Sequence, residues 1–172
     1  SLDSICDNMH EDLNIRIINN SKNIGLPASL NKILKVAKGR YFVRVDSDDY
    51  VSKHFLNTLF LFLQYNRDFQ AVACDYKKVN EIGVTFEKCS SLKNPIACGT
   101  MFTYESLCEI GFYDESFKMR EGHDLIKRFI EKFKIFNLPM PLYRYRIHSR
   151  NRTNNKKELS KYDKLLTTQI IN

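Results

Sequence analysis

The stretch from Tyr41 to Val51, YFVRVDSDDYV, places Asp46, Asp48 and Asp49 within four positions, directly after a mostly apolar run. Carboxylates this close repel one another, so an ionised set needs a cation or strong hydrogen-bond donors beside it. Hard oxygen ligands at a strand end suit Mg2+ or Mn2+, which commonly reach a protein through one or two carboxylates plus substrate phosphates. An EF-hand loop is excluded: its sixth-position glycine and twelfth-position glutamate would fall on Val51 and Asn57. A phosphatase-like D-x-D after a strand stays open, although Tyr50 stands where that motif wants Thr or Val. So does an Asp-rich turn that only leads into a helix.

A second charged feature lies near the C-terminus. From Tyr143 to Lys164 there are eight basic residues against Glu158 and Asp163, which is nearly the whole net charge of +7. Such a cluster can meet the phosphates of a nucleotide, a lipid surface or nucleic acid, or be a solvated basic tail. In an extended segment Arg144, Arg146 and His148 share one side, and guanidinium groups suit phosphate oxygens.

The elements that must position these groups are legible from periodicity. LNIRIINN (13–20) reads as a strand, and GLPASLNKILKVAKG as a helix with Pro27 in its first turn and Gly39 as its stop. RYFVRV is a strand with the acidic cluster at its carboxyl end. Ser52 caps a helix running to about Tyr65, with Phe55, Leu59, Phe62 and Leu63 turned inward. FQAVACDY is a strand, the polar segment after it a hairpin or loop, and PIACGTMFT a buried strand. YESLCEIG is a short helix stopped by Gly111, GHDLIKRFIEKF an amphipathic helix, PLYRYRIH a strand and KKELSKYDKLLTTQII a terminal helix. Strand and helix alternation predicts an α/β domain with a mixed, mostly parallel sheet flanked by helices, and ligands bind such sheets beyond the carboxyl ends of the strands.

Composition narrows the class. The 172 residues, 43% hydrophobic and 27% charged, fit one globular domain. Five cysteines, Cys6, Cys74, Cys89, Cys98 and Cys108, contain no C-x-x-C pair, which argues against a zinc site or a disulfide framework and for a reducing, cytoplasmic setting. No apolar run is long enough for a membrane helix. A nucleic-acid binder is disfavoured, since no recognition motif or aromatic stacking pattern accompanies the basic cluster.

The stretch NIGLPASLNKILKVAKGRYFVRVDSDDYV resembles a segment of family 2 glycosyltransferases with the GT-A fold, N-x-G-x-x-x-(A/S)-x-N through D-x-D-D. It matches at Asn23, Gly25, Ser29, Asn31, Ala37, Gly39, Tyr41, Asp46, Asp48 and Asp49. PIACGTMFTYESLCEIGFYDESFKMREGHDLIKRF and YRYRIHSRNRT are similar to two later blocks of that family, in order and at family spacing. The resemblance implies a GT-A (Rossmann-like) domain over residues 1–155, with 156–172 a basic helix of the same domain or of an extension. It further implies inverting transfer of a sugar from a nucleotide diphospho-sugar, a UDP-sugar for preference, to the hydroxyl of a glycan or a lipid-linked acceptor. The setting would be surface polysaccharide or lipopolysaccharide synthesis in a bacterium, at the inner face of the cell membrane.

By the same resemblance Asn23, Gly25, Asn31, Asp46, Asp48, Asp49, Gly99, Arg144 and Arg146 form the nucleotide-sugar site, with Mn2+ or Mg2+ on Asp46, Asp48 and His148. The acceptor's base comes from an E-D pair that here reads Glu121-Gly122, so the usual Asp is absent. Glu121 is the candidate base, although an acidic residue also suits a helix start. Asp124 is the second candidate, although an i,i+4 pair with Arg128 accounts for it as well. Gly99 allows a backbone to approach a ligand, or only packs. His123 stays unassigned. Nothing resembles the family's first strand, and Ser1 and Asp3 would be remnants of its second. The sequence therefore reads as a fragment or a shortened homologue that binds nucleotide poorly, and the competing reading is a non-catalytic interaction module of the same fold.

Overall fold

The structure, a computed structural model, describes residues 15–168. Helix α1 (Leu26–Val36) leads into strand β1 (Tyr41–Val43), the short strand β2 (Tyr50–Val51), helix α2 (Phe55–Tyr65) and strand β3 (Ala71–Val79). Strand β4 (Thr85–Cys89), strand β5 (Thr100–Thr103), helix α3 (Tyr104–Ile110), helix α4 (Glu121–Ile130), strand β6 (Ile135–Arg146) and helix α5 (Lys156–Thr168) follow, with a 3-10 turn at Arg152–Asn154 before α5.

Helix α1 starts where Gly25, at φ 87, turns the chain and Pro27 fixes the first turn. Its buried side is formed by Pro27, Leu30, Asn31 and Leu34, whereas Ile33 of the same apolar spacing is exposed. Helix α2 buries Phe55, Leu59 and Leu63. Gly111, in the left-handed conformation at φ 83, ends α3.

The strands form one sheet in the order β1-β5-β3-β6-β2, with β4 also paired to β3. Strands β5 and β4 share one edge of β3, β5 along Ala71–Ala73 and β4 along Tyr76–Val79. Only the β3–β6 pair is parallel, and the other four pairings are antiparallel. The expectation of a mostly parallel sheet is thus corrected to a mixed, mostly antiparallel one. Strands β1 and β3, joined through α2, do run the same way, as a strand–helix–strand crossover requires. They are not neighbours, however, because β5 enters between them running opposite to both.

Other expectations shift as well, and α2 starts from His54 without a side-chain cap, so Ser52 does not cap it. Residues 15–20 of the first predicted strand carry no regular structure, whereas 13 and 14, like Ser1, Asp3 and Cys6, lie outside the described residues. Strand β6 begins at Ile135 rather than at Pro141. Its register against β3 shifts around Asp75, where Pro139 and Pro141 fall and cannot donate ladder hydrogen bonds.

Strand alternation divides the core into two layers. Val72, Cys74 and Met101 pack with Phe55, Leu59 and Leu63 of α2 and with Tyr143. Ala71 and Phe102 face the other way, onto Leu30 and Leu34 of α1, Leu107 of α3, and Leu125 and Phe129 of α4. Each fully buried Leu or Phe here contributes about 1.5–3 kcal/mol. A third, smaller cluster joins Tyr162, Leu159 and Leu166 of α5 to Phe117 and Met119. The basic C-terminal segment is therefore seated against the segment that leads into α4.

Candidate active site

Beyond the carboxyl end of β1 the chain turns sharply, the Asp49 N–H donating to the Asp46 carbonyl at 3.1 Å. That turn gathers the three aspartates. Beside it opens a cleft of about 690 Å³, whose walls include Arg44, Asp46, Asp48, the segment Pro95–Cys98, the start of α4, and Arg152 and Leu159 from the C-terminal segment.

The cation that the acidic cluster requires is in the sequence itself. Arg44, buried in the cleft wall, donates from Nε to Asp46 Oδ1 at 2.6 Å and from Nη2 to Asp46 Oδ2 at 2.9 Å. Its Nη1 donates to Glu121 Oε1 at 2.9 Å. Burial opposes the Arg44 charge, yet the hydrogen bond to Asp46 and the nearby carboxylates hold its pKa above the usual value. The two-pronged geometry is one that a guanidinium matches and an ammonium does not.

Asp49 is held differently. The Arg146 N–H donates to its Oδ1 at 2.8 Å, and the hydroxyl of fully buried Tyr143 donates to its Oδ2 at 2.7 Å. The same Tyr143 oxygen accepts the Asp46 N–H at 3.2 Å, so one tyrosine ties the turn to β6. Burial first, with Asp48 and Asp46 pushing the same way, raises the Asp49 carboxyl to about 6 against the downward pull of the two hydrogen bonds. A carboxyl raised from its ordinary value near 3.8 keeps its proton longer in the folded state. Its contribution to stability is therefore lost as pH rises from about 4 through about 6. In metal-free buffer Asp49→Asn is expected to remove that loss, so the melting-temperature gap between variant and parent should widen across this interval. A gap constant from pH 4 to 7 in a thermal-shift series would show that Asp49 is not the titrating group.

Asp48 keeps its carboxylate open to the cleft, its side chain 42% exposed. His148 Nε2 lies 2.9 Å from Asp48 Oδ2, and His148 Nδ1 accepts the Arg150 N–H at 3.1 Å. With Nδ1 accepting, the neutral ring carries its proton on Nε2 and donates to Asp48. Asp46, Asp49 and Cys98 also offer ligand atoms within 4.8 Å of one another. Asp46 has given both oxygens to Arg44, however, and burial pushes the Cys98 thiol up, so it stays protonated. That trio is a hydrogen-bonded anchor, whereas Asp48 has the donor chemistry for a hard cation.

Glu121, the first residue of α4, is buried with its carboxylate on Arg44. Asp124 is fully buried, and its Oδ2 accepts from Arg128 Nε at 2.9 Å and Nη2 at 2.7 Å. Arg128 also donates to the Ile110 and Phe112 carbonyls, so this pair fastens α4 to the end of α3. Gly122, at the position of the absent carboxylate, has no room for any side chain. A Cβ there would stand 2.2 Å from Ala97 Cβ and 2.8 Å from Ala97 Cα. In an open helix Gly→Ala stabilises by up to about 1 kcal/mol. Here Gly122→Ala is expected to destabilise by about 1–3 kcal/mol through overpacking. A raised melting temperature in the variant would show that the Ala97 segment yields.

Arg120, just before α4, has a left-handed backbone at φ 64, a conformation that costs a non-glycine residue on the order of 1–3 kcal/mol. Asp163 of α5 accepts from its Nε at 2.7 Å, and its Nη1 faces His123 Nε2 at 3.1 Å. Burial and the Arg120 charge hold the His123 imidazole below its usual pKa.

The remaining sequence candidates lie away from the cleft. Arg144 donates to the Pro141 and Tyr143 carbonyls, and Arg146 lies over the Tyr50 ring with its guanidinium carbon 5.6 Å from the centroid. Tyr145, between them in β6, is the residue that lines the cleft. Strand alternation puts its neighbours on the opposite face. His148 meets Asp48 because the strand has ended before it. Asn23 accepts the Gly25 N–H and shapes the entry to α1. Asn31 is buried and clamps both backbone groups of Tyr113. Gly99, at φ 78, packs against the Tyr143 ring. Arg44 and Tyr143 were missed as site residues, although an arginine inside an apolar strand two places before an aspartate is a readable signal of an ion pair.

Residues 1–120 match the family model for glycosyl transferase family 2. The chain is 31% identical to EpsE of Bacillus subtilis, over 80% of this chain and 54% of EpsE. It is 27% identical to an uncharacterized glycosyltransferase of Haemophilus influenzae, over 80% of this chain and 49% of that protein. Among solved structures, S. aureus TarS 1-349 in complex with UDP-GlcNAc superposes with a TM-score of 0.75 at 18% identity, covering 99% of this chain and 54% of that one. The TarS complex with UDP gives 0.71 at 20% identity, covering 98% and 52%. At these identities the likeness shows a shared GT-A-like fold, and the chain spans about half the length of the relatives it matches. No helix among the described residues is long and apolar enough to cross a membrane. The family match covers well over half the chain and includes the three-aspartate turn, and on it the chain belongs to glycosyl transferase family 2.

Proposed function

We propose that the chain carries the donor site of an inverting glycosyltransferase that takes a sugar from a nucleotide diphospho-sugar. The observation that carries this reading is the division of labour among the three aspartates. Arg44 neutralises Asp46, Tyr143 and the Arg146 N–H anchor Asp49, and Asp48 alone turns an open carboxylate into the cleft. One open carboxylate plus substrate phosphates is a sufficient set for Mg2+ or Mn2+, so the residues fit such an ion. Asp48 would hold it, with His148 Nε2 steering the carboxylate, and the ion's chemistry would be Lewis-acid stabilisation of charge on the departing diphosphate.

Arg44 keeps the Asp46 turn and the first turn of α4 at a fixed distance, so the cleft is formed before ligand arrives. The Pro95–Cys98 segment forms one wall of the cleft. TarS was solved with UDP and with UDP-GlcNAc, which favours a UDP-sugar as the donor class here. Surface-polysaccharide synthesis on the cytoplasmic side of a membrane agrees with the family and with the basic C-terminal segment.

The test is binding. UDP and UDP-GlcNAc are expected to raise the melting temperature of the chain when MnCl2 is present and far less with EDTA, as ligand that binds the folded state must. No shift with either nucleotide at millimolar concentration would set the donor-site reading aside.

A further inference from the structure

We infer that the β3–β4 hairpin docks this chain on an anionic lipid bilayer, through a face of the sheet turned away from the cleft. The strand register sets three cations side by side there. Lys77 of β3 lies opposite Lys88 of β4 on one side and Arg144 of β6 on the other. Their chain neighbours Tyr76, Cys89 and Tyr143 pair in the same way and are buried in the core. Successive side chains of a strand project from opposite faces. Lys88, Lys77 and Arg144 therefore form one row on the far face, and Arg146 follows two residues along β6. Adjacent strands lie about 4.8 Å apart, which puts the row within about 10 Å. That is no more than a Debye length at moderate salt, so the charges act together.

Like charges directly opposite one another destabilise a sheet. The acidic turn has its cation in Arg44, whereas this row has no matching anion in the chain. Asp75, two residues before Lys77, is taken by the N–H and the hydroxyl of Ser91. Glu87 pairs with Lys78, which alternation turns to the other face. Among the described residues Lys77 and Lys88 have no acidic partner, and Arg144 engages only Nη1, on two carbonyls.

The tip of the same hairpin is apolar and uncovered. Ile82 is 83% exposed, Phe86 58% and Val84 55%, and Glu81 is the only acid in residues 80–86. Apolar side chains that enter the acyl boundary, beside cations that meet lipid phosphates, are the two signals that together hold a protein at a bilayer surface. A nucleic acid answers the cations alone and leaves the tip in water. Tyr145, between the two arginines of β6, lines the cleft, so docking by the opposite face leaves the cleft open. The inference is independent of the donor site proposed above.

The experiment sediments the chain with vesicles of phosphatidylcholine, alone or mixed equally with phosphatidylglycerol, at low and high NaCl. Partitioning onto the mixed vesicles is expected to exceed that onto phosphatidylcholine by about tenfold or more at low salt, and to fall as salt rises. Lys88→Glu changes the charge by two and is expected to lower partitioning by about tenfold or more. Its melting temperature should stay level or rise, because a glutamate opposite Lys77 relieves the row. Ile82→Ser combined with Phe86→Ser keeps the charge and is expected to lower partitioning by about tenfold as well. No preference for the anionic vesicles, or unchanged partitioning of either hairpin variant, overturns the inference. A fall in the melting temperature of Lys88→Glu overturns the repulsive row on which it stands. An equal or greater loss from Lys156→Glu combined with Lys157→Glu, at exposed positions, overturns it and places the docking on α5. Tighter binding to an oligonucleotide that survives the two serine substitutions assigns the row to nucleic acid. A dimer in light scattering that the serine variant dissolves, without vesicle binding, assigns the tip to a second copy. Either result overturns bilayer docking.

Discussion

Asp48→Asn is expected to lower metal-dependent donor turnover by about 10²–10³-fold while leaving the melting temperature within about a degree of the parent. The size follows from what Asp48 alone supplies. If Asp48 holds the proposed ion, loss of its open carboxylate would remove several kcal/mol of charge stabilisation at the leaving diphosphate, and each ~1.4 kcal/mol is tenfold in rate. The small stability effect follows from exposure. At 42% side-chain exposure, Asp48 is bonded to His148 and not buried in the core. Exposed substitutions of this kind usually fall within about 0.5 kcal/mol. Steady-state donor hydrolysis and a melting curve on one preparation check both halves. Near-parental turnover with unchanged Mn2+ dependence would move the cation site away from Asp48. The same loss for Asp46→Asn, accompanied by a large drop in stability, would fit Asp46 as a structural partner of Arg44.

Arg44→Met should have the largest effect on stability, about 3–5 kcal/mol, because removing one partner of a buried ion pair leaves uncompensated charge. Glu121 and Arg44 have side chains 8% and 7% exposed, and the Asp46 side chain is 32% exposed, so Glu121 suffers most. For a chain of this length each kcal/mol shifts the midpoint by about 2–4 °C, and the drop is on the order of 10 °C. Arg44→Lys should recover only part of it, since an ammonium cannot bridge Asp46 with two parallel bonds and also reach Glu121. In a double-mutant cycle Glu121→Gln should cost much less in the Arg44→Met background than in the parent. Additive effects would show that Arg44 and Glu121 do not interact. Activity should fall with Arg44→Met as well, because the guanidinium sets the spacing between the Asp46 turn and α4.

These two residues mark how far the sequence reaches. Asp48 was assigned to the cation from its place in the D-x-D-D run, and of the three aspartates in that run it is the one with an oxygen to spare. Asp46 was grouped with it on the cation and Asp49 with the nucleotide-sugar site, and the structure ties Asp46 to Arg44 and Asp49 to Tyr143 and the Arg146 N–H. His148 was paired with Arg144 and Arg146 by strand alternation. It reached Asp48 because regular alternation ends at Arg146, while the two arginines were carried to the far face by the same rule. Asp124 shows the reverse case: its i,i+4 spacing to Arg128 already contained the observed ion pair.

The sequence by itself determined the helices with a strong apolar stripe, the position of the acidic turn after β1, and the family, because each depends on residues close together in the chain. Only the tertiary structure decided the sheet order, the partners of the acids and the absence of space at Gly122. Arg44 and Glu121 are 77 residues apart, Asp49 and Tyr143 are 94 apart, and Ala97 meets Gly122 only because one segment crosses the start of α4. Local periodicity fixes which face of an element a side chain occupies. It does not fix which element lies opposite, and here that depended on β5 entering the sheet between β1 and β3.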